Sequence, residues 1–183
     1  MMTGLLVVLA GLVLAGILIY NRLVKERNQV RSAWSDIDVQ LTRRHDLVPQ
    51  LVTAVKAYAG YEKATLTAVT ELRTRSEAAA HLPEKAGLED DLEQGLNRLI
   101  ALAEDYPDLK ADQNFRKLQD ELTEIEDHLQ YARRFYNGAV RMLNTRIETF
   151  PNLLIAGPLG FRPAEFFAVE GAEMRATPKV ELS

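Results

Sequence analysis

The chain contains no cysteine, and this absence excludes several kinds of protein at once. Without a thiol there is no disulfide framework, no thiolate metal site, no cysteine nucleophile and no lipidated N-terminal cysteine. Acidic residues outnumber basic residues, 26 to 22, which argues against nucleic-acid binding because domains of that kind carry a basic face. The composition, 47% apolar over 183 residues, predicts one modest globular domain.

Charged side chains are also missing from residues 1–21. Residues 5–20 read LLVVLAGLVLAGILIY, and with the four residues before them they reach the length that a membrane-spanning helix needs. A cleaved signal peptide is the alternative, but it would begin with a basic region and end at a small-residue cleavage site, and neither is found here. The sequence therefore predicts an uncleaved anchor in the bilayer.

Basic residues cluster just after this predicted span, at Arg22, Lys25, Arg27 and Arg31. The positive-inside rule then predicts a single-pass protein of the inner (cytoplasmic) membrane, with its N-terminus outside and its C-terminal domain in the cytoplasm.

Small residues line one face of the span, where Gly4, Gly11 and Ala15 are spaced seven and four apart. Such a face lets two membrane helices approach closely, which predicts a homo-oligomer. The alternative is that glycine and alanine are simply common in membrane helices.

The rest of the chain shows apolar residues at alternating spacings of three and four, as in helices that pack like a coiled coil. One stripe comprises Phe115, Leu118, Leu122, Ile125, Leu129, Ala132, Tyr136, Ala139, Leu143, Ile147 and Phe150. An earlier stripe comprises Trp34, Ile37, Leu41, Val48, Leu51, Val55 and Tyr58. Arg27 and Arg44 occupy two positions of the earlier stripe where an apolar residue is expected.

Two shorter amphipathic segments, residues 62–80 and 83–104, lie between the stripes. The pattern predicts an all-α fold: an antiparallel four-helix bundle with long first and last helices, preceded by a single N-terminal transmembrane helix. The predicted units are the anchor at 1–21, the bundle at 22–150, and an apolar membrane-proximal segment with a tail at 151–183. Pro49 is expected to kink the first long helix, and a true break there is the alternative.

The segment FPNLLIAGPLGF at residues 150–161 is uncharged and too broken for a helix. Because the two long helices each span roughly 55 Å, the chain is expected to return to the root of the anchor at this segment. Contact with lipid or with a neighbouring subunit is predicted there for Phe150, Leu153, Leu154, Ile155, Leu159 and Phe161. The alternative is that the segment folds back over apolar side chains in the membrane-proximal half of the bundle.

A turn is predicted at the opposite, membrane-distal end, at Tyr106, Pro107, Asp108 and Leu109, before Asp112 caps the last helix. This tip is a candidate contact for a cytoplasmic partner. The favoured alternative is a turn that only sets the entry angle of the helix.

No catalytic residue, cofactor or metal site is predicted. A di-iron carboxylate bundle needs two Glu-x-x-His pairs, and none of the three histidines follows that pattern. Glu124 and His128 share a helix face, which favours a solvated contact over a metal site. His45 and Asp46 are expected to join a hydrogen-bond network beside the core.

Three stretches resemble the LemA family: WSDIDVQLTRRHDLVPQLVTAVKAYAGYEK, AEDYPDLKADQNFRKLQDEL and ARRFYNGAVRMLNTRIETFPNLLIAGPLGF. The most specific residues are Tyr106, Pro107, Leu109, Lys110 and Ala111 before Phe115 and Leu118, and Tyr136, Asn137 and Asn144 before Phe150 and Pro151. Gln50 and Tyr61 depart from the residues usual in the family. The resemblance implies a membrane anchor, a cytoplasmic helical bundle and a structural or regulatory role without enzymatic activity.

Two functions are compatible with these observations. The first is a non-enzymatic scaffold or interaction protein that contacts the lipid bilayer, its own copies and possible other membrane proteins. The second is a membrane-anchored sensor or signalling module acting through the bundle, for which the polar interruptions at Arg27 and Arg44 are the only indications.

Overall fold

A computed structural model describes residues 2–167 of the chain. Its first helix, α1, spans Met2–Tyr58 without interruption. The apolar run and the first helix of the bundle are therefore one continuous rod. Pro49 lies inside α1, so the alternative of a break at this residue is wrong. The predicted tail beyond residue 167 lies outside the described residues.

Five further helices follow in the described part of the chain. They are α2 (Lys63–Ala78), α3 (Leu82–Leu102), α4 (Pro107–Ala111), α5 (Gln113–Glu148) and α6 (Leu153–Ala156), with a 3₁₀ turn at Ala103–Asp105. α1 packs along α5, and α2 and α3 form an antiparallel pair against their distal halves. The predicted all-α bundle with long first and last helices is confirmed.

α5 begins where the sequence predicts, because Asp112 caps it. The Asp112 carboxylate accepts hydrogen bonds from the backbone N–H groups of Asn114 and Phe115, at 2.8 and 3.0 Å, which satisfies two donors that a helix start otherwise leaves unpaired. The Tyr58 hydroxyl donates to the same carboxylate at 3.0 Å. The end of α1 is thereby tied to the start of α5.

The predicted turn at the distal tip is wrong in form. Pro107 opens the short helix α4, a position where its fixed φ is favourable and its missing N–H is not needed. Leu109 on α4 is fully buried in the distal core, so its side chain supports the tip and is not presented to a partner. Pro107 and Asp108 are exposed and Tyr106 is half-buried.

The core divides into two clusters along the length of the bundle. The distal cluster is formed by residues 47–55 of α1, Ala59 just after it and residues 115–125 of α5, together with apolar side chains of the helices between them, mainly α2 and α3. The proximal cluster is formed by residues 23–41 of α1 and 129–147 of α5. Because α2 and α3 pack mainly in the distal half, the proximal half needs a different third layer.

The chain segment after α6 supplies that layer as an extended strap, residues 161–167. The Asn144 side-chain amide pairs with both the N–H and the C=O of Ala164, at 2.8 and 2.9 Å. Asn137 pairs in the same way with Phe167, at 3.0 and 2.9 Å. Seven helical residues and three extended residues both advance about 10 Å, so the two asparagines match the spacing of the strap.

Two aromatic side chains of the strap complete the proximal core. Phe161 is buried in an edge-on contact with Tyr20, with ring centroids 5.8 Å apart. Phe167 is 0% exposed and packs on Trp34. For Phe161 the structure therefore adopts the alternative in which the segment folds back over the bundle, and this ring is part of the core.

Asn144→Ala should lower the free energy of unfolding by about 1–3 kcal/mol, because it removes two hydrogen bonds and leaves partly buried backbone groups unpaired. Denaturant unfolding in detergent measures this loss. Chymotrypsin should also cut the variant faster at Phe161 and Phe167, as mass spectrometry would show. Asn114→Ala, at an exposed position of the same helix, should change stability by less than about 0.5 kcal/mol; equal effects of the two substitutions would contradict the docking role of Asn144.

Candidate functional site

The N-terminal part of α1 projects out of the bundle. Its large apolar side chains up to Leu18 are all mostly exposed, and burial begins only at Leu23. By length and composition this part of α1 can cross a membrane. Gly4, Gly11 and Ala15 are exposed on it, and a Cβ added to Gly4 or Gly11 would meet no other atom of the chain within 4 Å.

The end of α5 returns to the root of this projecting helix. Arg146 on α5 donates from Nε to the Glu26 carboxylate at 2.5 Å, and Glu26 is buried. Tyr20, the last residue of the apolar run, touches Phe161, and the Arg27 guanidinium lies 5.1 Å from the centre of the same ring. The first residues of the bundle part of α1 and the end of α5 are thus held together at the point where the apolar run leaves the bundle.

A group of exposed apolar side chains surrounds this point. Phe150 is 75% exposed, and Leu153, Leu154 and Leu159 are more than half exposed, whereas Ile155 is half-buried. We refer to residues 150–159 as the apolar loop. It contains the short helix α6, so the expectation that this segment is too broken for a helix is wrong for Leu153–Ala156. Its position beside the anchor is the geometry that the helix lengths predict, and its contact with lipid or another subunit stays a prediction.

A second notable feature is a buried ionic layer between the two core clusters. Arg44 is fully buried on α1 and donates to the Glu89 carboxylate of α3 at 3.0 Å. It also donates to Glu126 on α5. His45 lies 2.7 Å from the other Glu89 oxygen, which accepts a further bond from the Ser76 hydroxyl of α2. The layer therefore joins all four main helices through charged or polar side chains.

A neighbouring ion pair extends the layer toward the strap. Arg133 on α5 donates to Asp90 on α3 at 3.0 Å, and its guanidinium lies 4.9 Å from the centre of the Phe167 ring. The strap therefore contacts the root of the anchor at one end and the ionic layer at the other.

The carboxyl groups of this layer have pKa values shifted in opposite directions. Burial disfavours the charged form of Glu89, but hydrogen bonds from His45 and Ser76 and the charge of Arg44 outweigh it, so its pKa lies below the ordinary value. Burial raises the pKa of Glu126, and the attraction of Arg44 offsets this only in part. Burial likewise raises the pKa of Asp90.

Sequence reasoning anticipated part of this layer. It identified Arg44 as a charge in an apolar stripe and His45 as a hydrogen-bonded residue, but it paired His45 with Asp46, which is exposed. It missed Glu89, whose signal was a carboxylate directly after Leu88 in an apolar helix stripe. Glu124 and His128 are both exposed, 3.7 Å apart, as predicted for a solvated contact. Among residues 2–167 no group of three or more side chains is placed to hold a metal ion.

These features define the class of protein: an all-α bundle whose first helix includes an apolar rod long enough to span a bilayer. The chain belongs to the LemA family, whose family model matches residues 33–182. This finding confirms the resemblance that the sequence motifs indicate.

Three relatives illustrate the similarity. Magnetosome protein MamQ 2 of Paramagnetospirillum magneticum is 26% identical over 174 residues, covering 81% of this chain and 64% of the relative. Protein LemA of Metamycoplasma hominis is 25% identical over 154 residues, covering 84% and 70%. Magnetosome protein MamQ of Magnetospirillum gryphiswaldense is 23% identical over 174 residues, covering 81% and 64%. The chain thus spans less than two thirds of the length of the MamQ relatives.

Glu89→Gln should lower the free energy of unfolding near neutral pH by about 3 kcal/mol, because it removes one charge of a buried pair. The folded-state pKa of Glu89 lies below its ordinary value of 4.5. The difference in free energy of unfolding should therefore be largest above pH 4.5 and should decrease as the pH falls below that value. Urea unfolding in detergent between pH 3 and pH 7 measures the difference from wild type.

Glu126→Gln provides the matched control, since the pKa of Glu126 is shifted upward. The free energy of unfolding of the wild type should exceed that of this variant by most at low pH. The difference should decline as the pH rises above 4.5. The same sign of pH dependence for both variants would contradict the assignment.

Proposed function

We propose that the protein is a non-enzymatic, membrane-anchored helical scaffold or interaction protein of the cytoplasmic membrane. The observation that carries this proposal is the convergence of the projecting apolar end of α1 with the exposed apolar loop at its root. Exposed apolar groups of this size and grouping mark contact with lipid or another protein. A bundle that meets the bilayer through both the root of α1 and the segment after α5 suits a role in organising a membrane surface.

Orientation follows from charge. Arg22 and Lys25 follow the apolar span and are exposed. Basic residues that flank a span remain on the cytoplasmic side. We therefore place the bundle in the cytoplasm and the N-terminus outside. The distal tip, with Pro107 and Asp108 exposed, then faces the cytoplasm as a surface for other proteins.

Self-association is the second part of the proposal. Gly4, Gly11 and Ala15 are exposed on one face of the span and offer a close helix contact in which few bulky side chains intervene. Since all copies would insert with the same orientation, a parallel arrangement of spans is the natural assembly.

A sensor or signalling module is the alternative, and one observation favours it. The buried ionic layer joins all four main helices at the junction of two separate core clusters, and such a junction can serve as the element that shifts between two packings. In this case the anchor would set the location of the module without a need for assembly.

A fluorophore attached to Leu159→Cys should report an apolar environment when the protein is reconstituted into vesicles, because the apolar loop lies against the lipid. The chain has no native cysteine, so labelling is specific. Tyr61→Cys is the control, at a residue 97% exposed in the turn after α1. The emission of the fluorophore at this site should match its emission in water. Identical emission from both sites would contradict lipid contact by the apolar loop.

The Tyr61→Cys variant also tests orientation. A membrane-impermeant maleimide should label it in inverted vesicles and leave it unlabelled in intact cells. Labelling in intact cells would place the bundle outside and overturn the proposed topology.

Gly11→Leu should reduce the mass of the detergent-solubilised assembly, because a bulky side chain separates helices that meet through small residues. Light scattering coupled to gel filtration measures that mass. Gly16→Leu adds the same volume about 140° around the helix from Gly11 and should leave the assembly intact. A wild-type monomer would favour the sensor over the scaffold.

A further inference from the structure

An open cleft of about 320 Å³ lies on the outer side of the last turns of α5. Its lining combines two arginines with small polar side chains: Arg141, Met142, Thr145, Arg146, Thr149 and Asn152. Arg141 is exposed, and the side chain of Arg146 is 25% exposed beside its bond to Glu26. None of these residues takes part in the ionic layer.

The position of this cleft relative to the bilayer follows from α1. Glu26, which holds Arg146, lies six residues beyond Tyr20 and hence about 9 Å above the end of the apolar run. Thr149 lies about 4–5 Å closer to the membrane along α5. The headgroup region of each leaflet is about 5–8 Å thick. The end of the cleft at Thr149 therefore lies in the headgroup region, Arg146 lies at the outer boundary of that region, and Arg141 lies at the upper edge of the cleft.

Charge is concentrated at the same level. Residues 20–31 and 141–162 contain seven basic and two acidic side chains, although acidic residues prevail in the chain as a whole. Basic clusters just cytoplasmic of a membrane span attract anionic lipids. The membrane-facing end of the bundle is thus positive while the remainder is negative.

The chemistry of the lining suits a phosphate group. A guanidinium presents its donors as a planar fork that matches phosphate oxygens, and Glu26 engages only the Nε of Arg146. The hydroxyl of Thr145 and the amide of Asn152 add uncharged donors. Phe150 and Leu153 are exposed immediately below the cleft, where the acyl chains of a bound lipid would enter the bilayer.

We propose that this cleft binds the phosphate of an anionic phospholipid headgroup between Arg141 and Arg146, with the acyl chains beside Phe150 and Leu153. A lipid with net negative charge is favoured because the two arginines repel the ammonium group of a zwitterionic headgroup. The proposal rests on the membrane location proposed above and adds the lipid class and the residues that bind it.

Native mass spectrometry of the full-length protein in detergent micelles, titrated with phosphatidylglycerol or phosphatidylcholine of identical acyl chains, tests this assignment. The wild type should bind one phosphatidylglycerol about tenfold more tightly than phosphatidylcholine, because both lipids offer the phosphate but only phosphatidylcholine carries the ammonium group that the two arginines repel. Arg141→Gln should remove most of that preference. Arg134→Gln, an exposed arginine seven residues earlier on α5, should retain it.

A second variant examines the other arginine without leaving a buried charge unpaired. Glu26→Gln combined with Arg146→Gln removes both members of their ion pair, and its preference for phosphatidylglycerol should also fall. Circular dichroism confirms that each variant is folded. An unchanged preference in both Arg141→Gln and the double variant would overturn the proposal, as would binding of inorganic phosphate with the same arginine dependence and no preference between the two lipids.

Failure of the membrane location gives a different result. In that case the wild type would not float with phosphatidylcholine vesicles, a measurement that involves no anionic lipid. The micelle titration does not require insertion into a bilayer, so it tests headgroup binding independently of the membrane location.

Discussion

The packing of α1 along α5 is the constraint on which the other features depend. Beyond the apolar run α1 extends for about 55 Å, and α5 has nearly the same length. Because the two helices are antiparallel and joined at the distal end by the contact of Tyr58 with Asp112, α5 must end close to the end of the apolar run. The apolar loop, the strap and the basic end of the bundle are located by this equality of length.

The apolar faces of α1 and α5 are covered by different elements in the distal and proximal halves of the bundle. In the distal half α2 and α3 cover the apolar faces of α1 and α5 with helical leucines. In the proximal half the strap covers them with Phe161 and Phe167, and side-chain amides of α5 satisfy its extended backbone. The ionic layer lies at the junction, where the helices of the distal half meet the strap of the proximal half.

The sequence predicted the helices well because their apolar spacing is a local signal, and it predicted the cap at Asp112 for the same reason. It did not reveal the docking of the strap, since an extended segment held by side chains of a distant helix leaves no periodic trace. Asn137 and Asn144, seven apart and each beside a core position, were the available signal. The partners of Arg44 were missed because a pairing between helices depends on their register, which single-helix patterns do not specify.

The continuity of α1 couples the orientation of the whole bundle to the inclination of the proposed span. With no loop between the proposed span and the bundle, any inclination that a bilayer imposes on the span would be imposed on the entire rod. A change of 10° in inclination would move the distal tip sideways by about 10 Å. In the proposed membrane location, local bilayer thickness, which is one determinant of helix inclination, would thereby be converted into a lateral displacement of the distal tip.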